Sequence, residues 1–510
     1  MRVKMHRVLP HAGAVSVLEE PLLEFRYGQR LPDPRDGLSI FGPCDSDEPS
    51  HPKSMTYAVI GPSEGVTAFE EWSRAMQQPA SFLGGKPRLW PTFPGFEAAF
   101  AAEWVATPVW KHVLDRTTVV DASREQDPWK RTFGVVNLYL NALEPLKKVD
   151  DKINVVFCIV PDAVFQNCRP ESKIVDALGA RVSKKTIDAR REGQTELFDA
   201  FDPEQYKLSQ DFRRQIKARA MVHPFPIQII RESTLRLNDE NKFGDRQLSP
   251  LSHRMWNLAT SSFYKGGGKP WRLATARDGV SYLGIAFRRA DGAWAAQTAC
   301  CAAQMFLNSG DGIVFLGEYG PWYSPEERQF RLKKEAARDL VKGALATYEQ
   351  LHGKPLTEVF LHARSDISDE EFAGYVAGCP SGVKVVGVRV RAASRATPRL
   401  YRIGDMPVLR GTLWKRSERS GYLFASGFKE RLGTYDGWET PAPLQIDIQH
   451  GEADLESVAR DILGLTKLNY NTCSLGDAKP VTIEYSDAVG EILVSNPTVS
   501  ERRPQFRFYI

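Results

Sequence analysis

The chain has 510 residues, more than one hydrophobic core can organise, so two or three domains are expected. Its 42% hydrophobic and 25% charged residues are those of an ordinary globular protein, and no run approaches the roughly 18–20 apolar residues of a spanning helix. The 7 cysteines are scattered without a C-x-x-C pair, so neither a disulfide framework nor a zinc cage is expected, and a reducing cytoplasm is the expected location. The basic start, Met1-Arg-Val-Lys-Met-His-Arg7, leads into no apolar leader. Residues 1–43 are rich in Pro, Gly and charge and read as an N-terminal extension or linker.

From residue 55 the pattern changes to short apolar runs separated by amphipathic ones. Strands are expected over 57–61, 117–121 and 153–160, with a helix over 68–76, which together predict an open, mostly parallel α/β sheet. A helix over 210–221 follows, inside a basic stretch. Between 207 and 236 stand Lys207, Arg213, Arg214, Lys217, Arg219, Arg231 and Arg236 against only Asp211 and Glu232. That local excess exceeds the +4 of the whole chain, which suggests a localised polyanion site; a solvated helix face is the alternative.

In the second half, strands over 281–289, 293–301 and 312–318 predict an antiparallel meander. A long helix is expected next, with Ser324 as N-cap, Pro325 in the first turn, Glu327 three residues after the cap, and apolar positions through Tyr348. A strand over 358–362 and a helix over 369–377 complete the order of an RNase H-like fold. The histidines form no constellation, and His362, inside an apolar strand, reads as a core histidine.

Two ends of the chain carry a family resemblance. Glu20-Pro-Leu-Leu-Glu-Phe25, followed by Asp33-Pro-Arg-Asp-Gly-Leu38 and Phe41-Gly-Pro43, resembles the segment leading into the MID domain of bacterial Argonautes. Leu465-Thr-Lys-Leu-Asn-Tyr-Asn471, then Pro480-Val-Thr-Ile-Glu-Tyr-Ser-Asp487, resembles the last helix and strand of a PIWI domain. The chain is thus similar to short prokaryotic Argonautes, with no room for the N-terminal and PAZ domains of long ones. The resemblance implies an α/β protein with a Rossmann-like MID domain over 44–255 and an RNase H-like PIWI domain over 256–510.

The family's pocket for the guide 5′ phosphate maps onto Arg213, Lys217, Gln228 and Lys265, the last before Gly266-Gly-Gly268. Arg213 and Lys217, four residues apart, share a helix face where two cations can clamp a phosphate, and the amide adds a donor or a metal-directed oxygen. The glycines either let backbone approach the anion or form a plain turn. Arginine at the first position stacks less surely on a base than the tyrosine of many relatives, so no terminal-base preference carries over. The tail Gln505-Phe-Arg-Phe-Tyr-Ile510 reads either as a docked end whose carboxylate helps Gln228 hold Mg2+ at the phosphate, or as a closing strand.

The nuclease positions of the PIWI resemblance are degenerate. Gly284-Ile-Ala286 replaces Gly-Ile-Asp, Arg364-Ser365-Asp366 replaces Arg-Asp-Gly, and only Asp487 keeps an acid, too few carboxylates for a pair of metal ions. Asp366 and Asp291 are displaced candidates, and Glu318 is a possible acidic finger. The resemblance therefore implies a sensor that does not cut. It holds a guide, RNA in this reading, pairs it with single-stranded target DNA, and activates a separately encoded PAZ-analogue protein fused to a TIR, sirtuin-like or nuclease effector in defence against plasmids and phage. A guide-directed endonuclease and a sequence-independent single-strand binder are the alternatives.

Overall fold

The computed structural model describes residues 14–510 except 85, 180–181, 193, 195–202, 239–241, 244–245, 290–298, 307–311, 321, 325–328, 353–355, 393, 395–396 and 438. The first α/β unit is built on four parallel strands in the order Trp110–Leu114, Tyr57–Pro62, Val155–Val160, Ile227–Arg231. The two central strands are buried on both faces, as their unbroken apolar runs require. Alternation divides their side chains between two cores: Tyr57, Val59 and Phe157 pack on one face, and Ala58, Ile60 and Cys158 on the other.

The segment 117–121 is a correction. It belongs to a helix, Arg116–Ala122, and the strand lies earlier, at Trp110–Leu114. Its β-branched run favours a strand, but the Asp115 carboxylate accepts from the Thr118 N–H at 2.7 Å and caps a helix there. The helix expected over 68–76 starts sooner, as Ser63–Ala75, and buries Val66, Phe69, Trp72 and Ser73 along one stripe.

The second unit is a nine-stranded mixed sheet. Val280–Arg289, Ala299–Phe306 and Gly312–Gly320 form the antiparallel meander, and Glu358–Ala363 and Lys384–Ala392 join it in parallel. The middle meander strand is displaced from the expected 293–301, of which 293–298 lie outside the described residues. The long helix is Lys334–His352, so Ser324 does not cap it. Ser324 sits in a two-residue strand paired with Gln329–Phe330, while Pro325 and Glu327 lie outside the described residues. The Asp369–Gly378 helix carries a capping box between Ser368 and Glu371.

The other main correction concerns 480–487, which opens a helix, Val481–Val494, and is not a strand. Its β-branched residues are accommodated because the helix is buried on almost every side, where packing outweighs propensity. It crosses the meander so closely that a Cβ on Gly284 would lie 2.0 Å from the Thr482 carbonyl oxygen, which explains a glycine in mid-strand. His362 is fully buried beneath this helix, its Nδ1 2.9 Å from Thr482 Oγ1, and burial pushes it down to about 3, so it is a neutral core histidine.

Residues 14–43 are more than a linker. Val15–Val17 pairs with Thr412–Ser417 at the edge of the large sheet, and Asp33 caps the Pro34–Ile40 helix. Buried Lys467 donates to Glu20 and to the Pro32 carbonyl, both at 2.7 Å, and the Arg410 guanidinium reaches the same Glu20 at 2.9 Å. The two segments that carry the family resemblance are therefore bonded to each other. The helix Leu251–Lys265 runs across the expected boundary at 255. Among the described residues, no helix is long and apolar enough to cross a membrane.

Candidate functional site

The helix Phe212–Arg219 begins at Asp211, whose carboxylate accepts from the Arg214 N–H at 3.0 Å. That cap sets the phase that puts Arg213 and Lys217 on one face, where both line a cavity of about 570 Å³. The opposite wall is the helix Leu251–Lys265, which presents Arg254, Asn257, Ser261 and Lys265 at helical spacing. The edge strand Ile227–Arg231 contributes Gln228 and Arg231, and Ile510 closes the cavity. Arg213, Lys217, Gln228, Lys265 and Ile510 thus meet in one place.

The charge there is poorly matched by acids. Lys217 and Lys265 are 3% and 1% exposed. Lys217 Nζ donates to the carbonyl oxygens of Ile227 at 2.6 Å and Ile510 at 2.5 Å. Lys265 Nζ donates to the same Ile227 oxygen at 3.3 Å and to Gln228 Oε1. Arg213, exposed on the wall, donates to the Tyr509 carbonyl at 3.2 Å. No acceptor in this set is a side-chain carboxylate. Burial, reinforced by the Lys265 and Arg213 charges, holds the Lys217 ammonium well below the ordinary lysine range, and burial with Arg213 brings Lys265 down to about 7. Around this core the cations are paired: Arg214 with Glu491 at 2.7 Å, and Arg231 with Asp162 at 2.8 Å. Two buried ammonium groups beside Arg213, with no Asp or Glu side chain among their acceptors and the terminal Ile510 oxygen as the one acceptor from a carboxylate, favour the binding of a further anion.

The tail is docked. Phe506–Phe508 forms a single 3-10 turn, and Phe506, Phe508, Tyr509 and Ile510 are buried. The two oxygens expected to hold Mg2+, on Gln228 and Ile510, do face the cavity, but each accepts from a lysine ammonium. A divalent cation fits this donor set only together with an anion that draws the ammonium groups away and supplies further oxygens. The glycines do not cradle an anion. The N–H groups of Gly266, Gly267 and Gly268 donate back to the carbonyls of Ser262, Tyr264 and Phe263. With Gly267 at φ +99° they end the helix at Lys265, placing that ammonium at the negative end of the helix dipole.

A second cavity, of about 420 Å³, lies at the C-terminal ends of the parallel strands of the large sheet. Ala286, Ser365 and Asp487 line it together with Arg364, Arg391, Phe287 and Phe330. Asp487 forms an ion pair with Arg364. Asp366 does not line the cavity; it is held by Arg389, by Arg391 at 3.2 Å and by Gln449 at 2.7 Å. Asp291 lies outside the described residues, and Glu318 lies in the strand Gly312–Gly320. Among the described residues no three His, Cys, Asp or Glu side chains are placed to hold a metal ion.

Several lining residues escaped the sequence reading. Arg254, Asn257 and Ser261 share the face of Lys265, and that polar stripe on an otherwise buried helix is the signal that marks them. Arg169 follows no motif. Its guanidinium lies 3.4 Å from the centroid of the Phe165 ring, which Arg231 also approaches at 3.9 Å.

No protein-family model matches the sequence, and no curated protein matches it. Among solved structures the chain is similar to Clostridium butyricum Argonaute bound to a guide DNA and a 19-mer target DNA, with a TM-score of 0.60 and 14% identity over 98% of this chain and 55% of that one. It is similar to A. aeolicus Argonaute, with a TM-score of 0.54 and 14% identity over 97% and 55% of the two chains. For Drosophila Piwi the TM-score is 0.57 and the identity 12%, over 97% and 56%. The chain therefore spans about half the length of the structures it matches. It has the mixed α/β MID–PIWI fold of the Argonaute and Piwi proteins.

Proposed function

We propose that this chain anchors a guide strand by its 5′ phosphate in the cationic cavity and presents it for pairing with a complementary single strand that it does not cut. The observation that carries this reading is the cluster of Arg213, Lys217 and Lys265, which converge on one cavity with no side-chain carboxylate among their acceptors. A terminal phosphate carries close to two negative charges and three strong acceptor oxygens, which suits three cations and the Gln228 amide better than a mid-strand phosphodiester does. The likeness to an Argonaute solved with guide and target DNA supports nucleic acid as the ligand. Mg2+ belongs to this proposal as an ion arriving with the phosphate, with Gln228 and Ile510 supplying oxygens.

The absence of cutting is inferred from the second cavity. Two-metal hydrolysis needs several carboxylates around a pair of ions, whereas here Asp487 is neutralised by Arg364, and Asp366, which does not line the cavity, is committed to Arg389 and Arg391. A chain that binds without cutting passes its signal on. The RNA guide, the DNA target and the separately encoded effector subunit enter this reading through the family resemblance alone.

Measuring the affinity of the purified protein for one short RNA, with and without its 5′ phosphate, tests the proposal. A loss of roughly tenfold or more without the phosphate is expected, since charge-assisted hydrogen bonds to the cluster disappear. Equal affinity for both strands would sink the assignment. Guide-loaded protein incubated with a matched target and Mn2+ should leave that target intact.

A further inference from the structure

The second cavity is lined by one acid, Asp487, and two arginines, Arg364 and Arg391, and this arrangement has its own chemistry. Arg364 and Arg391 are half-exposed, with side chains 57% and 45% accessible. Arg364 spends Nη1 on Asp487, and Arg391 spends Nη2 on Asp366 and Nε on the Arg364 carbonyl. Nε and Nη2 of Arg364 and Nη1 of Arg391 have no protein partner among the described residues. Each guanidinium thus keeps N–H donors for a ligand. Phe287 and Phe330 stack on each other beside them, with centroids 5.3 Å apart and planes 15° apart, and both line the cavity. Ser365 adds a hydroxyl. Ala286 occupies little of the floor.

We infer that this cavity is a metal-independent clamp for the backbone of the paired target strand, in which Arg364 and Arg391 grip a phosphodiester and the Phe287–Phe330 pair supports the adjoining sugar or base. The inference rests on the guide-binding reading above. Guanidinium forks match phosphate oxygens, and aromatic faces accept any base, so the grip is independent of sequence. Asp487 does not repel the strand, because Arg364 already neutralises it. The position at the C-terminal ends of parallel strands is where open α/β sheets bind ligands. Metal ions would normally meet the phosphate oxygens at such a site, and here the remaining guanidinium N–H donors take that place.

The test uses full-length protein loaded with a short 5′-phosphorylated RNA and measures affinity for complementary DNA as a function of salt. With Arg364→Gln and Arg391→Gln together, target affinity is expected to fall about tenfold, as hydrogen bonds to a charged group are lost. The slope of log affinity against log salt should decrease by roughly 0.7 to 1.4, for one or two phosphates released on a single strand. Guide affinity should stay unchanged, since neither arginine lines the phosphate cavity. The variant Arg364→Gln with Asp487→Asn leaves no unpaired acid and should show the same direction of change. EDTA should leave the target affinity of the fraction of wild type that still retains its labelled guide unaltered. Unchanged affinity and slope in both variants would overturn the clamp while leaving guide binding standing, as would loss of target binding on chelation by protein that still holds its guide. A wild-type protein that ignores the guide phosphate would overturn both readings.

Discussion

The two cavities handle charge in opposite ways. At the phosphate cavity, Lys217 and Lys265 are buried against the Ile227 carbonyl, the Gln228 amide and the terminal Ile510 oxygen, with no side-chain carboxylate beside them. At the other, the acids near the floor are each joined to arginine: Asp487 to Arg364, and Asp366 to Arg389 and Arg391. One site holds three cations against the terminal Ile510 oxygen and no acidic side chain, an excess of positive charge that suits an external anion. The other pairs its acids internally, while its half-exposed Arg364 and Arg391 keep N–H donors for a ligand and are screened by solvent. Burial sets the difference in energy, because the same unit of charge costs far more where water is excluded. The helix Val481–Val494 touches both, since Glu491 lines the first cavity and Asp487 the second. The contrast is therefore between environments only one helical turn apart.

The comparison breaks first at Lys217. Its replacement by Glu puts an unpaired acid beside the oxygens of Ile227 and Ile510 and removes a buried donor. Affinity for a 5′-phosphorylated guide should fall by about 100-fold or more, measured by filter binding beside a thermal melt showing that the protein remains folded. Retention of guide by a folded Lys217→Glu protein would show that the cluster is not the anchor.

A smaller effect is expected from pH. Lys265, pushed down to about 7 in the free protein, regains its ordinary basicity when an anion binds beside it. Binding above pH 7 therefore takes up a proton, and affinity falls as pH rises, by up to about tenfold per unit for that one proton. Below about pH 6 the phosphate loses its second charge, which opposes the trend and places the maximum between the two. A flat profile from pH 7 to 9 would contradict the buried-cation account; an unphosphorylated guide should show a much weaker dependence.

The site was more legible in the sequence than its surroundings were. Arg213 and Lys217 could be paired because four-residue spacing fixes a shared helix face, and Asp211 supplies the cap that starts that helix. The opposite wall was not legible, because Arg254, Asn257 and Ser261 look like any polar stripe until the helix is seen facing Gln228. Local propensity misled at 117–121 and at 480–487. In the first case a single Asp cap, and in the second burial on almost every side, outweighed β-branched side chains. The glycines after Lys265 allowed either an anion approach or a plain turn, and their N–H groups, spent on the helix they end, decide for the turn. That Ala286 and Ser365 are not acids was plain, whereas the pairing of Arg364 with Asp487, distant in sequence, is a product of the tertiary fold.

The smallest expected effect sharpens the comparison from its other side. Asp487→Asn removes the acid from the second cavity and leaves Arg364 without that ion pair. Because the Arg364 side chain is 57% exposed, water takes over much of the solvation, and stability should change by less than about 1 kcal/mol in a denaturant titration. Guide affinity should not move, since Asp487 does not line the phosphate cavity, while target affinity should hold or rise slightly as the freed guanidinium turns to the backbone. If Asp487→Asn instead weakened the guide as strongly as Lys217→Glu does, the helix Val481–Val494 would be coupling the two cavities, and their opposite electrostatics could no longer be assigned separate tasks.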